Sequence, residues 1–378
     1  MSANFSIVNR VSSYSLSKSF ILSLFGIFCI SIPYAFTQSS ATILQDSSSM
    51  EYLNHRKESI LDHLIESGMS RLELVTDLED LFKDRKNRLY KKAVATFFFE
   101  DGNDWTDSLE VRVRGIYRAA KCDNLPLKMK YSKKTLKKRG LKKRNEYKLV
   151  YPCKNAKRFQ NYIYKEYLIY KLYNELTDKS FRVHLIDFTI KDARQKEADI
   201  QTTGFIVEHK EEIIKRLDAN KSDVRCIHTN DLPLDNSTLF QVFQFMIGNL
   251  DWIIENCKNV EVLQMKDSTL LPIPYDFDFT GMVNPSYAVP SSKFKQNFIT
   301  DRYFLGQNTE MKDLLPVLNL FKEKKEVFIK MIDSFEPLPK KERRAMIQYL
   351  KSFYRILDRP ARIQKVFIHD MGKMKDLY

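Results

Sequence analysis

The feature that most constrains this chain is a change of hydrophobic period past its midpoint. Up to about Glu208 apolar and polar residues alternate in short runs: "LEVRVRGIYR", "NLPLKMKYSKK", "EYKLVYPC", "FRVHLIDFTI" and "TGFIVE". Period two is the signature of strands. One segment interrupts them, roughly Lys157 to Leu176, where Phe159, Tyr162, Ile163, Tyr170 and Tyr173 recur at three- and four-residue spacing. That spacing predicts a helix. From Asn236 onward the helical period dominates. "NSTLFQVFQFMI" opens on capping residues and sets Leu239, Val242, Phe243, Met246 and Ile247 on one stripe. "MKDLLPVLNLFKEKKEVFIKMI" and "KKERRAMIQYLKSFYRIL" close the chain as helices. The expected fold class is therefore α+β, a strand-rich half with one helix followed by a helix-rich half.

With 378 residues, 43% of them hydrophobic, the chain can bury one large core or two ordinary ones. The net charge of +14 favours an anionic partner. The N-terminus reads as a targeting segment. Arg10 and Lys18 precede the apolar run Phe20 to Phe36, and the small-residue stretch "AFTQSSA" follows. Residues 1–37 are expected to be a signal peptide cleaved after Thr37, and 38–50 a polar linker. The rival reading is an uncleaved membrane anchor; a lipoprotein cysteine at Cys29 is disfavoured by the bulky Phe28 before it. The expected location is outside the cytoplasm: periplasmic, cell-surface or secreted. Four cysteines remain, Cys122, Cys153, Cys226 and Cys257. They allow three disulfide connectivities, or none, and no C-x-x-C spacing points to zinc. Cys122 follows one predicted strand and Cys153 ends another, so these two are the expected pair. The run Lys133 to Lys148 is densely basic. It reads either as a solvated loop between strands or as a contact surface for phosphates or an anionic membrane. Its one ring, Tyr147, stands at the end and none is interleaved among the clustered lysines, which disfavours nucleic acid as a partner.

Two acidic groupings carry chemistry. Glu166 falls on the apolar face of the helix, where an ionised carboxylate is costly unless it meets a cation. Lys148 lies on the strand just before, so a Lys148–Glu166 ion pair is expected. Further on, Asp251 is followed five positions later by Asn256, and beyond the apolar "LLPIPY" come Asp276, Phe277 and Asp278. An aspartate to orient an acceptor hydroxyl, and an asparagine and a further carboxylate to hold Mg2+, are what phosphoryl transfer needs. The spacing alone is weak, since Asp231 and Asn236 share it.

The order of the Arg-Gly strand, the Lys strand, the Glu helix, "GFIVE", "IGNLDW" and "PYDFDFTG" resembles the CotH-type, spore-coat-protein-H-like kinases. It is also similar to exported proteins of Bacteroidetes-type bacteria with the same pattern. The resemblance covers roughly Val111 to Gly281. It implies a two-lobed protein-kinase-like fold, with residues 51–208 holding the strand-rich N-lobe and 209–378 a helical C-lobe. It implies that Lys148 contacts the nucleotide with Glu166 as its partner, that Glu208 is a hinge-side glutamate, and that Arg114 and Arg118 lie near the nucleotide. Asp251 would be catalytic, and Asn256 and Asp276 would hold metal, with Asp278 sharing that role. The implied function is an exported phosphotransferase using ATP and Mg2+ on a protein or saccharide acceptor. The chain departs from kinases in lacking their Gly-rich loop and in placing Trp252 directly after Asp251. Those departures favour, as an alternative, a catalytically silent binding module of the cell envelope. The basic run favours another, a protein that binds anionic polymer or membrane surfaces.

Overall fold

Seven strands carry the first half of the fold: β1 (Arg71–Thr76), β2 (Lys91–Phe98), β3 (Trp105–Val113), β4 (Leu127–Lys130), β5 (Glu146–Val150), β6 (Val183–Asp192) and β7 (Ile200–Val207). In this computed structural model they close into a barrel of order β1-β2-β3-β4-β5-β7-β6. Neighbours are antiparallel except at the closure, where β1 runs parallel to β6 with Leu74 opposite Ile190. The structure describes residues 59–68, 71–100, 102–115, 117–142, 145–220, 227–307 and 309–368. The expected signal peptide and linker, Cys226, and Lys143 and Arg144 of the basic run lie outside them.

The closed barrel corrects the expectation of a two-lobed kinase-like fold. The strands read from the sequence are all present, but "RLELVT" and "KKAVATFF" add β1 and β2 before them. These two segments alternate as well, and with them the ladder returns on itself instead of ending at a free edge. Alternation then sorts the side chains. Leu72, Leu74, Ala95, Phe97, Val111, Met129, Leu149 and Phe188 fill one core. Arg112, Lys128, Lys130, Glu146 and Lys148 fall on the alternate, outer positions of β3, β4 and β5.

Short helices decorate the barrel: α1 (Ile60–Glu66), α2 (Leu78–Lys83), α3 (Tyr117–Lys121) and α4 (Lys133–Lys138). So the start of the basic run is a helix, not a loop. The expected long helix is α5 (Lys157–Leu176), and α6 (Lys210–Arg216) follows β7. The later elements are α7 (Leu234–Ile247), a hairpin of β8 (Val260–Gln264) and β9 (Leu270–Pro274), then α8 (Met311–Asp333), α9 (Lys340–Leu357) and α10 (Pro360–Phe367). A second core joins α5 to α7, α8 and α9, and reaches Val150, Val183, Phe205 and Val207 on the barrel strands. Helix α7 is buried on nearly every side, with Phe240, Val242, Phe243 and Met246 at 0% exposure. At roughly 1.5–3 kcal/mol per large apolar side chain, its burial is worth on the order of 10 kcal/mol. Gly248 ends it at φ 66, a left-handed turn that favours glycine. The barrel and these helices belong to one compact unit, and the seam between the two cores is where the candidate site lies.

Candidate functional site

A cleft enclosing about 710 Å³, including its open mouth, lies between the outer face of β4–β5 and the β8–β9 hairpin. Its apolar part is Val150, Tyr170, Phe181, Val207 and Tyr275. The rest is polar: His209, and Arg114, Lys128, Lys148 and Lys210 against Glu146, Glu166, Glu208, Glu261 and Asp276. Several of these charges are already committed. Lys128 pairs with Glu146 at 2.7 Å and Lys210 with Glu261 at 2.5 Å. Glu208 accepts from Arg182 Nε at 3.0 Å and from Arg216 Nε at 3.0 Å and Nη2 at 2.8 Å. Its carboxylate is a structural node beside the cleft, fully used by two guanidinium groups. Its backbone N–H is used as well, donating to Arg182 O at 2.9 Å.

Arg114, Lys148, Glu166 and Asp276 are left over. Among the described residues none of the four makes an ion pair within 4.0 Å. The expected Lys148–Glu166 pair is therefore absent, although both line one cleft. Lys148 is solvent-accessible yet surrounded by protein, and its Nζ sits 5.0 Å above the Tyr275 ring. Desolvation, then the neighbouring Arg114, lowers its ammonium pKa, with Asp276 opposing. Glu166 is 2% exposed, and its Oε2 is buried with no hydrogen-bond partner. Burial, then Asp278 and Asp276, pushes its carboxyl well above the usual range.

The Asp-Phe-Asp triplet is held from three sides. Phe277 is fully buried, 4.7 Å from the Tyr170 ring and 5.9 Å from Phe243. Tyr170, one turn after Glu166, accepts a hydrogen bond from Asp276 N at 2.9 Å. Asp276 adopts φ 62, a left-handed conformation that costs a non-glycine residue. Asp278 is 6% exposed. Burial, then Asp276, raises its carboxyl to about 7, with Arg118 opposing. Arg118 feels Asp278 and Glu166 in return, which outweigh the effect of its burial and raise it. The two arginines donate to β5 and its extension: Arg114 Nη2 to Leu149 O at 3.3 Å and Arg118 Nη2 to Tyr151 O at 3.1 Å. Gly115, at φ 71, turns the chain between them. A Cys122–Cys153 disulfide, Cα to Cα 4.7 Å, ties the end of α3 to the approach to α5, as expected.

Asp251 lies close enough to raise the Asp278 carboxyl further, so the two acidic segments converge. Its backbone N–H donates to Asn249 Oδ1 at 2.9 Å, and Asn249 Nδ2 donates to Gln244 Oε1 at 3.0 Å. Asp251 Oδ1 is ion-paired with Lys258, and Oδ2 accepts from Asn259 Nδ2 at 3.0 Å. Asn256 does not join the group. It is exposed, and its Oδ1 accepts from Lys258 N at 3.1 Å to close a turn. Asn259, at φ 54, faces Asp251 instead. The sequence signal that could have found it is its place directly before the apolar strand "VEVLQ", whereas Asn256 lies within the turn.

A backbone clasp fixes the two segments to each other. Gly281 N donates to Gly248 O and Met282 N to Ile247 O, both at 3.0 Å. A Cβ on either glycine would overlap Tyr349 Oη. Arg302 braces that wedge, its guanidinium 3.7 Å from the Tyr349 ring centroid and bonded to Met246 O at 3.0 Å.

No family model matches this chain, and no curated protein does. The resemblance to CotH-type kinases therefore rests on the motifs alone.

The donor set can be tested against a metal. Among the described residues no three His, Cys, Asp or Glu side chains converge tightly enough to hold an ion by themselves. Mg2+ needs no such group, since it takes one or two carboxylates and completes its shell with water and phosphate oxygens.

Proposed function

We propose that the cleft binds a nucleoside triphosphate such as ATP with Mg2+, and that the protein is a phosphotransferase acting outside the cytoplasm on a protein or saccharide hydroxyl. One observation carries this reading: Arg114 and Lys148 line the same cleft as Glu166 and Asp276 without pairing with them. Opposite charges left apart in a partly desolvated site are costly. A ligand that is itself both anion and cation, a metal–triphosphate, satisfies both sets. The motif order shared with CotH-type kinases supports the same chemistry, carried here on a barrel.

Lys148 and Arg114 would bind phosphate oxygens; both are surrounded by protein, where a point charge acts strongly. Asp276 and Asp278, with the free Oδ1 of Asn259, would hold the metal. Bound Mg2+ would neutralise phosphate charge as the terminal phosphoryl group leaves. Glu166 and Arg118 set the charge around Asp278. The apolar wall from Val150 to Tyr275 would take the base. Asp251, fixed by Asn249, Asn259 and Lys258, would orient the acceptor hydroxyl.

A second reading, a nucleotide-binding module without transfer, is favoured by the Lys258 ion pair on Asp251, which occupies the carboxylate that would orient the acceptor. Calorimetry of the full chain with ATP, with and without Mg2+, followed by a terminal-phosphate transfer assay, tests both. Binding should require Mg2+, and Asp276→Asn should weaken it at least tenfold. Asp251→Asn should spare binding and lower transfer by roughly 10²–10⁴-fold. Mg2+-dependent binding without transfer selects the second reading. A wild-type chain that binds no nucleotide overturns both.

A further inference from the structure

We propose that Tyr349 and Arg302 are positioning residues for the transfer step, holding Asp251 at a fixed distance from the Asp276–Asp278 triplet. The inference rests on the phosphotransferase reading. The two acidic segments belong to separate elements: Asp251 follows α7, and the triplet follows β9. They meet through two glycines, Gly248 three residues before Asp251 and Gly281 three residues after Asp278. The bonds Gly281 N to Gly248 O and Met282 N to Ile247 O tie the segments together. Two bonds alone form a hinge. Tyr349, reaching in from α9, stops that hinge: its Oη is the nearest atom to a Cβ built on either glycine. A single hydroxyl therefore abuts both segments where they cross.

Arg302 fixes where that hydroxyl stands. Its guanidinium lies 3.7 Å from the Tyr349 ring centroid. Nε donates to Met246 O at 3.0 Å, in the last turn of α7. Nη2 donates to Tyr349 O and Nη1 to Ser352 Oγ, both at 2.7 Å, on α9. One planar fork thus locks α9 to the end of α7 in three directions. The arrangement is costly. Among the described residues Arg302 makes no ion pair within 4.0 Å, and the Tyr349 hydroxyl is buried with no hydrogen-bond partner. Burial lowers the guanidinium pKa, with Tyr349 opposing and Arg355 adding to the shift. Apolar side chains would pack α9 on α7 without desolvating a cation or orphaning a hydroxyl. What they could not supply is a stop of fixed direction at the glycine joint. Neither residue lines the cleft, so their effect on the chemistry passes through Asp251 and the triplet. A displacement of about 1 Å at a reacting group can cost about 10²-fold in rate.

The test uses the full chain and its variants Tyr349→Phe, which keeps the ring, and Arg302→Lys, which keeps the charge. Four quantities are read: melting temperature, amide hydrogen exchange at Gly281 and Met282, Mg2+–ATP affinity by calorimetry, and the kinetics of terminal-phosphate transfer. Both variants should bind Mg2+–ATP like wild type and exchange the two clasp amides about tenfold faster. Both should lose about tenfold or more in kcat at unchanged KM for ATP. Tyr349→Phe should do so with a melting temperature equal to or above that of wild type, which a loss of folding could not produce. Wild-type kcat in both variants overturns the positioning role, and so does a fall in kcat that appears only where the melting temperature falls with it. Clasp amides that keep the wild-type exchange rate in Tyr349→Phe overturn it whether or not transfer is seen. A wild-type chain that binds no nucleotide, or binds it without transfer, overturns the phosphotransferase reading itself, and the positioning role falls with it.

Discussion

Glu212 should make the folded protein measurably less stable as the pH rises through neutrality. Its carboxyl is 6% exposed on α6; Oε1 accepts from Tyr147 Oη at 2.9 Å, and Oε2 is buried without a partner. Burial raises it from 4.5 to about 7, with Glu208 and Asp62 adding to the shift and Tyr147 opposing it. The folded state then binds a proton that the unfolded chain has released. Stability from this group is full below about 4.5 and is lost as pH climbs through 7. Between pH 5 and pH 8 the loss comes to roughly 2–3 kcal/mol, at about 1.4 kcal/mol per pH unit of displacement. Glu212→Gln removes the titration but keeps an acceptor for Tyr147. Its amide NH₂ inherits the unpartnered position, a cost of about 1–3 kcal/mol that is the same at both pH values. The decisive quantity is therefore the change in the variant's relative stability from pH 5 to pH 8. It should favour the variant by roughly 2–3 kcal/mol, or on the order of 4–6 °C in melting temperature. Urea unfolding of both proteins at the two pH values measures it. A difference between them that does not move with pH would refute the reasoning.

Three further outcomes follow from the same geometry. Replacing both Cys122 and Cys153 by serine opens a loop with a sequence separation of 31 residues; the chain-entropy relation puts the loss at roughly 3–4 kcal/mol, readable as a lower denaturation midpoint. Asn259→Ala should weaken Mg2+-dependent nucleotide binding at least tenfold in calorimetry, whereas Asn256→Ala should change it less than twofold. Gly281→Ala should cost about 1–3 kcal/mol by thermal melting, because the new methyl meets Tyr349 Oη and Ile299 O. Tyr349→Phe alone should be neutral or stabilising, since that hydroxyl is buried without a partner, and it should recover part of the Gly281→Ala loss when combined with it.

Local period was legible where it was strong, and closure was not. Helix α5 has the bounds that its apolar spacing predicts, and β3 to β7 each overlap one of the alternating runs, although β3 and β7 begin before theirs and β6 ends after its own. The β1 and β2 segments alternate just as clearly, but their importance is not local. Whether a ladder closes depends on β1 meeting β6 across more than a hundred residues of chain, and periodicity carries no record of partner identity. A kinase-like expectation built from Val111 onward thus omitted the two strands that close the barrel. The fate of Glu208 was hidden for a similar reason. Its motif is intact, but Arg182 and Arg216 reach it from outside that motif.

The asparagines show how far spacing can be trusted in the site itself. Asp251 and Asn256 fit a five-residue interval, yet the interval presumes the backbone of another loop. Here residues 253 to 258 close a tight turn through the paired bonds Ile253 N to Lys258 O and Lys258 N to Ile253 O, at 3.1 and 2.9 Å. That turn spends Asn256 on its own capping and sends it outward. The chain re-enters at Asn259 in a left-handed conformation, next to Val260 at the start of β8, and β8 pairs with β9, which leads to Asp276. The register Val260 opposite Pro274, with Tyr275 N donating to Asn259 O at 3.1 Å, brings Asn259 beside the acidic triplet. The residue that can share a ligand with Asp276 is thus chosen by the hairpin rather than by distance in sequence from Asp251. What the sequence does record is the chemistry: an amide and three carboxylates flanking one apolar hairpin, opposite a lysine that a strand exposes and leaves unpaired.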